Sequence, residues 1–330
     1  MKVAFFSTKS YDREYFNKFN TANLHELTFF EVPLNEQTAI LTVGFEAVCV
    51  FVNDIISQET IKIISKNGIK VIALRCAGFN NVDLKAAREN ELKVVRVPAY
   101  SPESVAEHAA ALILTLNRKT HKAYNRVREG NFSIENLTGF NLFGKTVGVI
   151  GTGLIGAAFC KIMLGFGCKV LAYDIKKSSD LVAKGVVYKT LDDLLKQSEI
   201  ISLHCPLTPE TAHLIDATAI SKMKVGVMII NTSRGALIEA KDAIDGLKSG
   251  KIGYLGIDVY EQEADLFFQD LSESVIQDDI IARLISFPNV LITGHLGFFT
   301  KEALEEIATI TLNNLSSFES DKELVNEVKS

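Results

Sequence analysis

The 330-residue sequence predicts an α/β fold of two doubly wound parallel-sheet domains, with the second inserted into the first. Three observations carry that expectation. A glycine pattern follows a short apolar run near the middle of the chain. Short β-rich runs alternate with helical stretches on both sides of it. A single helical segment then closes the chain with no strand behind it. The length alone exceeds what one hydrophobic core usually serves, so two domains are expected.

Residues 2–6, 47–52, 71–74 and 93–97 are short runs rich in Val, Ala and Phe and read as strands. Helical stretches at 59–67 and 82–90 lie between them, and Asn67-Gly68 is a typical helix ending. This is a flavodoxin-like rhythm without a glycine-rich phosphate turn, and it defines a first domain over 1–100. Ser101-Pro102 then opens a long helix expected to reach about residue 128, with Gly130 and Asn131 after it. Six further strands begin at Thr146, Lys169, Ile200, Val227, Tyr254 and Val290, enough for a complete sheet in a second domain over 101–299. In 300–330, Leu304, Ile307, Ile310 and Leu315 recur at helical spacing. That helix is expected to return to the first domain and make it discontinuous.

Val147-Gly148-Val149-Ile150 reads as a buried strand, and Gly151, Gly153 and Gly156 follow it in G-x-G-x-x-G spacing before a helix. Gly151 permits the tight turn, Gly153 lets backbone approach a pyrophosphate, and Gly156 brings helix and strand together. The helix amino end offers free N–H groups to phosphate. The next strand ends on Asp174, placed to accept from both ribose hydroxyls. The unit is therefore Rossmann-like, with NAD as its cofactor. Lys176 and Lys177 follow, but Asp174 repels a 2′-phosphate and favours NAD over NADP.

The bulk numbers exclude several other classes. With 47% hydrophobic and 23% charged residues the chain has an ordinary globular composition. A net charge of −5 gives no electrostatic case for nucleic acid or an anionic membrane. The apolar run at 3–6 is too short for a signal peptide and that at 109–116 too short for a membrane span, so a cytoplasmic protein is expected. Cys49, Cys76, Cys160, Cys168 and Cys205 form no C-x-x-C and read as buried, reduced thiols without a metal.

Three polar residues lie just past expected strand ends: Arg234, Glu263 (five residues beyond Asp258) and His295. These are the types that reduction of a 2-keto acid requires. A guanidinium grips a carboxylate in a fork and polarises the carbonyl. A histidine delivers a proton near working pH, and a carboxylate favours its charged form. Each alone has a plain structural explanation, Glu263 above all, since Glu261 and Asp265 flank it in an acidic loop. Together, at the ends of one sheet, they read as a catalytic set. His204 and His108 read as structural, and His25, His121 and His213 have no evident partner.

The chain resembles the NAD-dependent D-isomer-specific 2-hydroxyacid dehydrogenases over nearly its whole length. Residues 75–83 and 97–100 resemble the substrate-side loops of that family, and 151–156 its cofactor turn. Residues 231–236, 258–263 and 293–295 resemble the segments carrying its arginine, glutamate and histidine. The resemblance implies that Arg234 binds the carboxylate and carbonyl, that Glu263 orients His295, and that His295 is the acid/base. It implies cofactor contacts at Leu154, Ile155, Thr232, Ser233 and Asp258, and near Cys205, Pro206 and Thr211. It implies substrate contacts at Gly78, Phe79, Tyr100, Phe298 and Phe299. The segment between Glu263 and His295, with Asp265-Leu266-Phe267-Phe268, resembles the D-lactate branch, which implies pyruvate as the keto acid.

Leu296-Gly297 after His295 departs from the family pattern and leaves the keto acid open, so glyoxylate, hydroxyisocaproate or vancomycin-resistance type reductases stand as alternatives. From a different class, an NAD-sensing corepressor-like binding protein shares the fold. The helix from Val105 carries apolar residues on more than one face, from which a homodimer or homotetramer is expected.

Overall fold

The computed structural model describes residues 1–21, 24–263 and 266–329, and the chain divides into two compact units. One comprises Met1–Ser101 with Phe299–Ser330, the other Pro102–Phe298.

In the first unit, strands β1 (Lys2–Phe5), β2 (Glu26–Phe29), β3 (Ala47–Val50), β4 (Val71–Leu74) and β5 (Lys93–Arg96) form one parallel sheet ordered β2-β1-β3-β4-β5. Helices α1 (Ser10–Phe19), α2 (Gln58–Lys66) and α3 (Leu84–Glu89) connect the strands. Every residue of β3 and β4 is buried, which explains their unbroken apolar sequences: a central parallel strand is covered on both faces. Ser57 and Asp83 accept from the first-turn N–H groups of α2 and α3, and Gly68 ends α2 at φ +98°.

The second unit holds α4 (Pro102–Arg118), α5 (Thr120–Arg128), β6 (Thr146–Ile150), α6 (Leu154–Gly165), β7 (Lys169–Tyr173), α7 (Ser179–Ala183) and β8 (Val187–Tyr188). It continues through α8 (Leu191–Gln197), β9 (Ile200–Leu203), α9 (Ala217–Lys222), β10 (Val227–Asn231), α10 (Ala240–Lys248), β11 (Ile252–Ile257), α11 (Asp279–Ile285) and β12 (Val290–Ile292). Its parallel sheet has seven strands among the described residues, ordered β12-β11-β10-β9-β6-β7-β8. Ile200, Ile201, Ile229 and Ile230 are fully buried at its centre. Burial of each such side chain contributes about 1.5–3 kcal/mol. The last helix, α12 (Lys301–Glu319), belongs to the first unit and packs on α1; Asn314 ties it to β5 by donating to the Arg96 carbonyl at 2.9 Å. His25 finds its partner there, with Nε2 2.9 Å from Ser316 Oγ.

Four expectations are corrected. Each sheet has one more strand than expected, and both additions (β2 and β8) are edge strands. Edge strands are half-exposed, so burial imposes no continuous apolar run that the sequence would display. The single helix expected from 105 to about 128 is two, because Lys119 adopts left-handed backbone at φ +50° without any Gly or Pro nearby to announce it. Of the apolar residues of α4 that suggested a self-association face, Ala109, Ala110, Leu112, Ile113 and Leu116 are buried within their own unit, and Leu114 is half-buried against the same core. Cys205 is only partly buried, whereas the other four cysteines are buried; all five are free thiols. Among the described residues no helix is long and apolar enough to cross a membrane.

Candidate active site

The strand register of the second unit assembles the site. Tyr173 pairs with Ile150, Ile150 with Leu203, Leu203 with Asn231, Asn231 with Ile257, and Ile257 with Ile292. Six strands thus finish in one row. The next residue of each, in spatial order Asp174, Gly151, His204, Thr232, Asp258 and Thr293, stands at the carboxyl edge where doubly wound sheets bind ligands.

The glycine turn has the shape that a dinucleotide needs. Gly151 has φ +91°, and a Cβ there would lie 2.6 Å from Cys205 N and from the His204 carbonyl carbon. A Cβ on Gly156 would lie 2.0 Å from the Gly151 oxygen, whereas one on Gly153 meets nothing within 4 Å. The turn is thus closed behind and open in front. The α6 amino end has no side-chain cap, so the N–H groups opened by Leu154 and Ile155 are available to an anion. Thr152 N–H and hydroxyl both donate to Asp174 Oδ2, and Lys176 N–H donates to Oδ1 at 2.9 Å. Burial alone would raise the Asp174 pKa, but these donors outweigh it and hold the carboxyl below its ordinary value. Three protein donors thus orient a carboxylate that stays ionised.

The wall behind the turn is His204-Cys205, which runs on into Pro206. Burial lowers the His204 pKa to about 3, so its ring is neutral; Nε2 is 2.8 Å from Ser202 Oγ and the ring lies 4.8 Å from Phe159. Two expected cofactor residues spend their hydroxyls on the protein: Thr211 donates to the Pro206 carbonyl at 2.7 Å and Ser233 to the Leu203 carbonyl at 2.9 Å. Thr232 Oγ1, by contrast, is buried with no hydrogen-bond partner, as is His204 Nδ1. Orphaned polar atoms beside the turn fit a site shaped for a ligand with polar groups of its own.

Arg234, Glu263 and His295 all lie on loops leaving this edge. Asn231 steadies the first loop from both ends, accepting from Ser233 N–H at 3.0 Å and donating to the Arg234 carbonyl at 2.8 Å. The half-buried Arg234 guanidinium donates to the Ser233 carbonyl at 2.7 Å, and among the described residues it has no carboxylate partner. Glu263 Oε1 is 2.8 Å from His295 Nδ1, and Oε2 accepts from Tyr260 N–H at 3.0 Å. Nδ1–H therefore points at a carboxylate and Nε2 is the ring nitrogen left for a reacting group. Phe298 and Phe268 flank the imidazole, with ring centroids 6.5 and 5.9 Å away. Asp265, expected in the acidic loop, lies outside the described residues.

Asp258, expected to touch the cofactor, is 1% exposed and does something else. Its Oδ1 accepts from Thr293 Oγ1 and from Leu296 N–H at 3.0 Å, its Oδ2 from Gly297 N–H at 2.8 Å, and its carbonyl from His295 N–H at 2.7 Å. It holds His295 in left-handed backbone at φ +54°. His108, expected only to pack, reaches from α4 with Nε2 3.0 Å from Thr293 Oγ1 and 3.3 Å from Asp258 Oδ1. Burial pushes the Asp258 carboxyl up, but the bonds from His108 and Thr293 prevail and hold it below its ordinary range. Thr293, Tyr260 and Phe268 lie in segments that the sequence singles out (293–295, 258–263 and 265–268) without assigning them a role, and His108 reads there only as structural.

In the first unit, Gly78 and Phe79 follow β4. The Gly78 carbonyl accepts from Cys76 Sγ at 3.3 Å, and the Arg96 guanidinium lies 5.1 Å from the Phe79 ring centroid. Tyr100 follows β5, and Phe299 packs edge-on against Tyr11 at 4.8 Å.

A family model described as "D-isomer specific 2-hydroxyacid dehydrogenase, NAD binding domain" matches residues 110–297. The D-lactate dehydrogenase of Escherichia coli (strain K12) is 55% identical over 328 residues, covering 99% of this chain and all of that one. A solved apo-structure of D-lactate dehydrogenase from Escherichia coli superposes with a TM-score of 0.92 at 52% identity, over 100% of both chains. The Aquifex aeolicus D-lactate dehydrogenase complexed with NAD and lactic acid superposes at 0.88 with 35% identity, over 99% of this chain and 98% of that one. The chain belongs to the D-isomer-specific 2-hydroxyacid dehydrogenases. It is an NAD-dependent oxidoreductase of that family.

Asp258→Asn puts an amide NH2 where one of two backbone N–H donors now finds an oxygen. The variant is expected to lose about 1–3 kcal/mol of stability. Because the native carboxyl is held below its ordinary range, its stabilisation is complete above about pH 4 and lost as pH falls through the lowered value. Thermal unfolding followed between pH 3 and 7 should therefore show a gap between wild type and variant that closes on the acid side.

Proposed function

We propose that this enzyme reduces pyruvate to D-lactate with NADH, reversibly. The observation that carries the reading is the 2.8 Å contact between His295 Nδ1 and Glu263, which leaves Nε2 to serve the substrate. The name of the 55% identical Escherichia coli relative and the lactic acid bound by the Aquifex aeolicus enzyme support pyruvate as the keto acid.

The glycine turn from Gly151 to Gly156, with the amino end of α6, binds the pyrophosphate, and Asp174 receives ribose hydroxyls. NADH when bound supplies a hydride to the carbonyl carbon. Arg234 grips the keto acid's carboxylate and polarises its carbonyl, which fixes the face presented and so the handedness of the product. His295 donates a proton from Nε2 to the carbonyl oxygen, and Glu263 stabilises the imidazolium while holding the ring in place. Phe298, 6% exposed beside His295, borders the substrate's methyl group. In the first unit the proposal extends to Gly78, Phe79, Tyr100 and Phe299 as residues that touch the keto acid, making that unit the substrate-binding one. Five free thiols suit a reducing compartment, and we assign the enzyme to the cytoplasm.

Self-association as a homodimer or homotetramer belongs to the same reading, on a different surface from the one the sequence suggested. On α5 and the segment after it, Tyr124, Val127, Phe132, Ile134 and Phe143 are exposed, Ile134 to 83%. Apolar side chains of that size gathered on one stretch suit a second copy.

Following NADH absorbance with pyruvate tests the reaction, and absence of turnover would remove it. His295→Gln should lower kcat by about 10²–10⁴-fold with NADH affinity little changed. Arg234→Lys keeps the charge but loses the fork, so KM for the keto acid should rise as kcat falls. Asp174→Ala should raise KM for NADH and narrow the gap to NADPH, measured with both cofactors; an unaltered ratio would strip Asp174 of its role. Light scattering at micromolar concentration should give at least twice the chain mass, and a monomer would end the association proposal.

A further inference from the structure

His213, which had no evident partner in the sequence, lies between two carboxylates. It sits in the segment between β9 and α9, in left-handed backbone at φ +50°. Its Nδ1 is 3.2 Å from Glu239 Oε2, and its Nε2 is 3.2 and 3.3 Å from the two oxygens of Glu261. Those carboxylates belong to the two loops that matter most. Glu239 caps α10 just past Arg234, and Glu261 stands two residues before Glu263.

The backbone shows the same joint. His213 N–H donates to the Ala236 carbonyl at 2.7 Å, Ile215 N–H to that of Leu237 at 3.0 Å, and Glu239 N–H to that of Ile215 at 3.0 Å. The arginine loop is thereby stitched to the His213 segment. It also presses on the glutamate loop, since a Cβ on Gly235 would lie 2.1 Å from the Tyr260 carbonyl carbon and 2.2 Å from Glu261 N. Each ring nitrogen thus faces a carboxylate, and whichever nitrogen carries a hydrogen has an acceptor within reach.

We propose that His213 is a positioning residue: the Glu239–His213–Glu261 clasp fixes the spacing between Arg234 and the Glu263–His295 pair. The inference rests on the reading of those three residues as the catalytic set. His213 is 40% exposed at its side chain, so the clasp adds little to global stability and acts on the local separation of the two loops. Arg234 holds the substrate's carboxylate while His295 serves its carbonyl oxygen, so a loosened joint misplaces the proton donor relative to a bound keto acid. A misplacement of about 1 Å can cost as much as 10²-fold in rate.

The test compares wild type, His213→Ala, Glu261→Gln and the double variant. Each single change is expected to lower kcat/KM for pyruvate by about five- to thirtyfold. The NADH dissociation constant from fluorescence titration and the unfolding temperature should stay near wild type. The double variant should be no worse than either single one, because both break the same clasp. Hydrogen exchange, read without substrate, should rise in residues 233–239 and 258–263 of His213→Ala. Single variants within twofold of wild type, or losses that multiply in the double variant, would overturn the proposal. A wild type inactive on pyruvate would instead sink the assigned reaction, and the clasp would then fall if exchange in the two segments were unchanged.

Discussion

The second unit depends on one constraint, the common register of its parallel strands. Tyr173, Ile150, Leu203, Asn231, Ile257 and Ile292 lie in one row, so every loop that leaves the carboxyl edge starts from the same height. Helices return the chain to the opposite edge each time, and the buried isoleucines between them keep the strands from slipping. A one-residue slip would turn every side chain of the slipped strand to the opposite face of the sheet. The glycine turn and the Glu263–His295 pair are thus placed by the same hydrogen-bond ladder.

Around that edge the polar groups divide the labour by burial. Asp258 is sealed in and spends its charge on backbone N–H groups, which fixes a turn that non-glycine residues rarely adopt. Glu263 is partly open and spends one oxygen on Tyr260 N–H and the other on the His295 ring. The buried carboxylate fixes backbone, and the more accessible one fixes the orientation of an imidazole. His204, neutral because it is buried, contributes shape beside the glycine turn, and its ring is not a proton source at working pH.

The histidines show how position decides what one residue type does. His295 has one carboxylate on Nδ1 and a nitrogen to spare; His213 has a carboxylate on each nitrogen. The first is tied to one loop, and the second bridges two. His108 shares Thr293 and Asp258 with the turn that carries His295.

Sequence alone determined the elements whose physics is local or whose burial is complete. Central strands such as β3, β4 and β9 need unbroken apolar runs, and the glycine turn needs residues without a Cβ at 151 and 156, so both are legible without coordinates. Arg234, Glu263 and His295 stand out as candidates for a related reason, since polar residues on loops that follow buried strands are conspicuous. Tertiary structure decided what depends on neighbours distant in the chain. The edge strands β2 and β8 are half-exposed and carry no compelling pattern, and the break at Lys119 has no glycine or proline to mark it. The destination of the Asp258 carboxylate and the partners of His108 and His213 were settled by residues up to 185 positions away. A side chain's type is written in the sequence, but its hydrogen-bond partner exists only once the register of the sheet has brought the loops together.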